Sequence, residues 1–189
     1  MDNPFNFALQ PCGPFSNLAL AHKLDTLGKL FKYIKALSYQ RISDKHQLAL
    51  IFEEHCGTCS TKHAVVAVIA QEQQLKGLEL MLGIYAMNES NTKGVGKVLD
   101  AYHLDFIPEA HTYFKLQNKR IDLTSSSNQN TSFVDDLFHE EIITPAQIID
   151  YKDVKHQAFL KNWITENNIP YSFEEIWKIR EACIAALSK

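Results

Sequence analysis

The run Ala64-Val65-Val66-Ala67-Val68-Ile69-Ala70 constrains this chain more than any other stretch. It is apolar on every side, and a helix of that kind belongs in the middle of a fold, covered all round. It is far too short to cross a bilayer, which takes about 20 apolar residues. What leads into it is polar and chemically loaded: Cys56-Gly57-Thr58-Cys59-Ser60-Thr61-Lys62-His63. A cysteine in the first turn of a helix meets unpaired backbone N–H groups and the positive end of the helix dipole, both of which favour a thiolate. A buried helix opened this way can mount a nucleophile, provided the chain also supplies a base and a group to orient it.

Length and charge narrow the setting. At 189 residues the chain fits one domain with ample core. Nineteen basic against twenty-two acidic residues give a net charge of −3, and no basic cluster suggests a nucleic-acid partner. Met1-Asp2-Asn3-Pro4-Phe5 lacks a basic segment followed by an apolar one, so no signal peptide is expected. Four cysteines, Cys12, Cys56, Cys59 and Cys183, are too few for a disulfide scaffold. The expectation is a cytoplasmic protein with no membrane association.

Along the chain, the first dozen residues read as an irregular lead-in. Asp25 is expected to cap a helix with Leu27, Leu30, Phe31, Ile34 and Leu37 on its apolar side. Asp44 is expected to cap a second helix through Phe52, ended by Gly57 in a left-handed conformation. The central helix starts at or near Cys59 and fades by Gln74. Leu78 to Met87 reads as a buried strand, and Val95 to His103 as a short helix. Ala110 to Leu116 and Arg120 to Thr124 flank a turn at Gln117-Asn118-Lys119, the clearest hairpin signal in the chain. Ser125 to Thr131 is a polar loop and a candidate flap; Phe133 to Phe138 is ambiguous, and Ile142-Ile143 suggests a short strand. A helix lies within Ile148 to Asn167. Ser172 and Glu175 form a capping box for the last helix, with Ile176, Trp177, Ile179, Ile184 and Leu187 inward and Arg180 among its polar positions. Helices, a small antiparallel sheet, then helices make the fold class α+β.

The hairpin carries a geometric test. A turn centred on Gln117-Asn118 sets cross-strand partners that sum to 235, so Asp122 faces Tyr113 and His111 faces Thr124. Side chains alternate along strands, which puts His111, Tyr113 and Asp122 on one face. His111 and Asp122 become diagonal neighbours, roughly 7 Å apart at Cβ and within reach of a carboxylate–imidazole hydrogen bond. A one-residue slip sends them to opposite faces.

With that pair in place, three candidate catalytic residues have roles. Asp122 orients His111, His111 takes the thiol proton and later protonates a leaving group, and Cys59 attacks a carbonyl to form a thioester. The backbone N–H at the helix start is one oxyanion donor; Gln40 or Gln47 could supply the second.

These residues resemble the transglutaminase-like superfamily, which shares the papain-like cysteine-enzyme architecture. The likeness lies in Gly57-Thr58-Cys59-Ser60-Thr61-Lys62-His63-Ala64 opening the apolar helix, Glu109-Ala110-His111 opening a strand, and Arg120-Ile121-Asp122-Leu123-Thr124 on the next strand. It covers about Asp44 to Thr124, with 111 − 59 = 52 positions between Cys59 and His111 and 122 − 111 = 11 between His111 and Asp122. Tyr113 stands where the family commonly has Trp two residues after His, and Arg120-Ile121 where a Trp often precedes Asp. The resemblance implies a single transglutaminase-like domain over residues 1–189 with helical N- and C-terminal extensions. It further implies a nucleophile helix packed on a small antiparallel sheet, and thiol-dependent acyl transfer on a peptide or protein amide without a cofactor or metal. The family members of unknown activity leave a second reading, an inactive peptide- or protein-binding module.

Two other chemistries use the same residues. Cys56-Gly57-Thr58-Cys59 is a Cys-x-x-Cys motif, which suits a thiol–disulfide oxidoreductase when a strand and a βαβ unit surround it. The segment Glu53-Glu54-His55 before it reads as helical instead. His55, Cys56, Cys59 and His63 could be zinc ligands, but four ligands within nine residues around a helix start are cramped. His63, four residues after Cys59 on the same helix face, is expected to be a partly buried neighbour that could assist His111.

Overall fold

A computed structural model describes residues 4–117, 119–124 and 132–187. The elements run α1 (Pro14–Ala21), α2 (Leu27–Ala36), β1 (Ser38–Tyr39), α3 (Leu50–Glu53), β2 (Cys56–Gly57), α4 (Cys59–Glu72), β3 (Leu78–Met87), α5 (Gly96–Ala101), β4 (Ile107–Leu116), β5 (Lys119–Ile121), β6 (Leu137–Ile142), α6 (Asp150–Glu166) and α7 (Phe173–Ala186). The fold is α+β. Among the described residues the main sheet is antiparallel in the order β5-β4-β3-β6, and β1 and β2 pair separately in parallel.

Helix α4 is central and buried along nearly its whole length, Lys62 and His63 included. Its start is held by Thr58, whose N–H donates to Thr61 Oγ1 at 3.0 Å. Val65, Val66 and Ile69 have no exposed surface, and each such burial is worth about 1.5–3 kcal/mol. The even-numbered strand residues Leu80, Leu82, Ile84, Ala110 and Phe114 join α4 and α2 in one core. The odd-numbered Met81, Tyr85, Ile107 and Tyr113 join residues of α5, α6 and α7 in a second core on the other face.

Several boundaries differ from the sequence reading, each for a local reason. Thr26, not Asp25, caps α2, accepting from the Lys29 N–H at 3.2 Å, while the Asp25 carboxylate pairs with Lys29. The helix expected from Asp44 is the single turn α3; Asp44 instead accepts from the His46 N–H and the Gln47 amide in its own turn. Gly57 ends no helix. His55 takes the left-handed conformation (φ 53°), and Gly57 sits in β2, where a Cβ would come within 2.9 Å of Ile51 and Lys62 side-chain carbons. Helix α1, absent from the sequence reading, is capped from far along the chain. Glu72, the last residue of α4, accepts from the Phe15 N–H (3.0 Å) and the Ser16 N–H (2.6 Å).

The hairpin register is the expected one: Phe114 faces Ile121, Lys115 faces Arg120 and Leu116 faces Lys119, all summing to 235. The returning strand stops at Ile121 rather than Thr124, because side chains take the backbone groups that would extend the ladder. The Leu123 N–H donates to His63 Nε2 (2.8 Å), the Thr124 N–H to Asp122 (2.8 Å), and the Thr124 carbonyl accepts from Lys62 Nζ (2.9 Å). Residues 132–136 form a 3-10 turn, and β6 begins at Leu137, earlier than the Ile142-Ile143 reading placed it. The candidate flap Ser125–Thr131 and the turn residue Asn118 lie outside the described residues.

Candidate active site

Cys59, His111 and Asp122 meet. Cys59 is the first residue of α4, His111 lies in the middle of β4, and Asp122 follows the end of β5. All three are buried, at 5, 9 and 8 % exposure. His111 Nε2 hydrogen-bonds Asp122 Oδ2 at 2.8 Å, and the ring and the Cys59 sulfur each shift the other toward its charged form. The ring is boxed edge-on by Phe133 (centroids 4.8 Å) and Tyr85 (6.0 Å) and stacked by Tyr113 (6.0 Å), so its orientation is set by packing as well as by Asp122. Tyr113 is itself fixed, its hydroxyl donating to Glu140, which also takes a forked pair of bonds from Arg120.

Charge in the site is settled by these neighbours. Burial by itself pushes the Cys59 thiol up, but the Lys152 ammonium, the His111 hydrogen bond and the Thr112 N–H outweigh it and bring the thiol down to about 6. Burial also disfavours the His111 imidazolium; the Asp122 carboxylate and the sulfur overcome that and raise the ring to about 10. Burial works against the Asp122 charge too, yet the charge and hydrogen bond of His111 hold its carboxyl well below the usual carboxylate range. Between those limits the site rests as a thiolate–imidazolium–carboxylate chain.

His63 departs from expectation. It is fully buried, and both ring nitrogens are committed: Nδ1 to the Cys59 carbonyl at 2.7 Å and Nε2 to the Leu123 N–H at 2.8 Å. A carbonyl only accepts and an N–H only donates, so the ring is the neutral tautomer with its proton on Nδ1. Burial pushes it down to about 4, against the pull of Asp122. It has no lone pair for the thiol proton and is no substitute for His111. Its work is positional: one ring ties the carbonyl of Cys59 to the residue after Asp122.

Three groups were not legible in the sequence. Lys62, fully buried, donates to the Leu37 carbonyl (2.6 Å) and the Thr124 carbonyl (2.9 Å), locking α4 to α2 and to the segment after Asp122. Lys152, from α6 and 7 % exposed, places Nζ 2.7 Å from Ser60 Oγ and 3.7 Å from Cys59 Sγ. Arg180, one of the polar positions of the last helix, is buried and grips Glu109 through Nε (2.7 Å) and Nη2 (2.5 Å). That fork ties α7 to β4 two residues before His111. The i, i+3 spacing of Cys59 and Lys62 was the only local signal for any of these.

The other expectations resolve individually. Gln47 is tied to Asp44 at the surface, and Gln40 is exposed, lining neither cavity at the site. Their neighbour Tyr39 lines both, and burial together with the charges of Cys59 and Glu109 holds its hydroxyl well above the usual phenol range. Cys56 and Cys59 are both free thiols. They are pushed in opposite directions, Cys56 upward by burial and Glu54. The zinc set is dispersed, with His55 against the Tyr33 hydroxyl (3.2 Å) and Cys56 directed at the Arg41 carbonyl. Among the described residues no three His, Cys, Asp or Glu side chains are placed to hold a metal, and no helix is long and apolar enough to cross a membrane.

Cys59 lies between two cavities. One, about 300 Å³, holds His111 and Asp122 and is walled by Tyr85 and Phe133. The other, about 370 Å³, holds Ser60 and Lys152 and is walled by Trp177. No family model, curated protein or solved structure matches this chain. What the site can do therefore rests on its own geometry.

Proposed function

We propose that this chain is a thiol-dependent acyl-transfer enzyme, with Cys59 as nucleophile, His111 as proton carrier and Asp122 as orienting carboxylate, on a transglutaminase-like, papain-related core. The observation that carries this reading is Asp122 hydrogen-bonded to His111, with that ring helping to lower the thiol of a Cys59 at a helix start. A structural cysteine in an apolar setting has its thiol pushed up; a nucleophile needs the opposite.

The steps follow from the charges. The Cys59 thiolate attacks an amide carbonyl carbon, and the carbonyl electron pair moves onto oxygen. The Cys59 N–H, first in its helix and without an intrahelical acceptor, donates to that oxyanion. Tyr39, which lines both cavities beside Cys59 where Gln40 and Gln47 do not, supplies the second donor through a hydroxyl that stays protonated. When the oxyanion collapses, the C–N bond breaks and the departing amine takes the proton of the His111 imidazolium. The neutral His111 then takes a proton from the attacking water or amine, the thioester breaks, and the thiolate–imidazolium pair is restored. Water gives hydrolysis of the amide; an amine gives exchange.

Alkylation of Cys59 by iodoacetamide tests this directly. The rate should follow a midpoint near pH 6 in the native chain, against about 8.5 for a free thiol. His111→Ala should move that midpoint up and slow the reaction at neutral pH by about tenfold or more. Equal rates before and after that substitution would rule out the enzyme and favour a binding module on the same framework.

A further inference from the structure

The two cavities flanking Cys59 have unequal chemistry, and the reaction geometry says which half of a substrate each receives. The leaving amine must reach His111, so it occupies the smaller cavity with His111 and Asp122. The acyl half then extends to the opposite side, into the larger cavity beside Ser60 and Lys152.

That larger cavity contains one cation more than its carboxylates can match. Arg41 pairs with Glu181 at 2.8 Å, Lys45 with Asp153 at 2.8 Å, and Arg180 with Glu109 at 2.5 Å. Lys152 has no carboxylate within ion-pair distance among the described residues; its contacts are the Ser60 hydroxyl and the Cys59 sulfur. At rest the thiolate is its counter-ion. Once Cys59 is acylated the sulfur is a neutral thioester, and the buried ammonium is left facing the cavity with only Glu109, already paired with Arg180, acting on it from beyond ion-pair distance. An unpaired buried charge is costly, and an anion brought by the substrate removes that cost.

We propose that the acyl half of the substrate carries a carboxylate close to the scissile carbonyl, and that Lys152 is the residue that binds it. This rests on the reading of Cys59 as nucleophile and names the substrate class for that site: amides of dicarboxylic or acidic amino-acid type, with the free carboxylate on the acyl side. Lys152 thereby serves two anions, the thiolate at rest and the substrate carboxylate from the moment attack begins to spend the charge on sulfur. The Ser60 hydroxyl, accepting from Nζ at 2.7 Å, keeps the ammonium aimed at the sulfur in either state.

Two small reagents that differ only in charge test it on the full chain. Iodoacetate and iodoacetamide react identically: the Sγ–CH2 bond forms, the C–I bond breaks, and iodide leaves with the bonding pair. Their rate ratio at Cys59, followed by peptide mass spectrometry and normalised to N-acetylcysteine, cancels the reactivity of the thiolate itself. The expected ratio favours iodoacetate by about tenfold over the free thiol. It should fall to the free-thiol value in Lys152→Met and persist in Lys152→Arg. Since a buried substitution can prevent folding, His111→Ala serves as a second arm: its ratio should stay at the native value, because the preference comes from Lys152 and not from the imidazolium. A native ratio equal to that of N-acetylcysteine overturns the proposal, as does an undiminished ratio in Lys152→Met or a ratio lost in His111→Ala. Slow alkylation of native Cys59 by both reagents is a different result; it removes the nucleophile reading, and this proposal with it.

Discussion

His63 offers the sharpest quantitative test, because its burial, its two hydrogen bonds and its protonation state all bear on one measurable curve. Consider His63→Phe, which keeps a ring against Phe114, now 5.2 Å away between centroids. The Cys59 carbonyl retains its intrahelical partner. The buried Leu123 N–H loses its His63 acceptor, at a cost of about 1–3 kcal/mol. At neutral pH the variant is therefore less stable by that amount. The native ring has a folded pKa depressed to about 4, against 6.5 for an ordinary histidine. A depressed base contributes its stability above the unfolded value and loses it as pH falls toward the folded one. Between about pH 7 and about pH 5 the unfolded chain binds this proton and the folded chain does not, which removes about 2 kcal/mol from the native protein. The phenylalanine variant lacks that loss, so the two stabilities should converge near pH 5. Urea unfolding of both proteins at the two pH values gives the comparison, with the other histidines cancelling between them. A native protein and variant that lose the same stability over this range would refute the neutral, doubly bonded His63.

Other consequences follow from the same contacts. In Asp122→Asn the His111 imidazolium loses its counter-charge, so the ring, titrated by NMR, should give up its proton well below the native value of about 10. Retention of that value would mean the carboxylate does not hold the ring. Arg180→Met leaves Glu109 buried without its cation and should cost about 3–5 kcal/mol in thermal or urea unfolding. The double variant with Glu109→Leu should recover most of it; a double variant as unstable as the single would show that packing, not charge, is at stake. Tyr39→Phe should slow acylation of Cys59 by p-nitrophenyl acetate by about a hundredfold while leaving its iodoacetamide midpoint near 6, since alkylation develops no oxyanion. A change in the alkylation midpoint without a change in acylation would assign Tyr39 to the thiolate instead.

What the sequence determined by itself is whatever depends on a few neighbouring residues. The apolar run after Cys59 could only be a buried helix, and it is one. Strand parity put His111 and Asp122 on one face, and a register summing to 235 followed from the turn position; both hold because alternation and hairpin closure are local rules. Caps were less legible. Thr26 against Asp25 is a choice between adjacent residues of similar capping propensity, and the left-handed turn at His55 runs against the usual preference for glycine; surrounding contacts decide both. Tertiary structure alone decided the charge of the site. Lys152 approaches Cys59 from 93 positions away and Arg180 meets Glu109 from 71 away, and in the sequence Arg180 is one polar position of a helix like any other. His63 looked like a spare base until docking put a carbonyl on one nitrogen and an N–H on the other. Composition and spacing describe which groups a chain owns. Only the packing of α6, α7 and the hairpin around α4 excludes the water that would have let each of those charges remain ordinary.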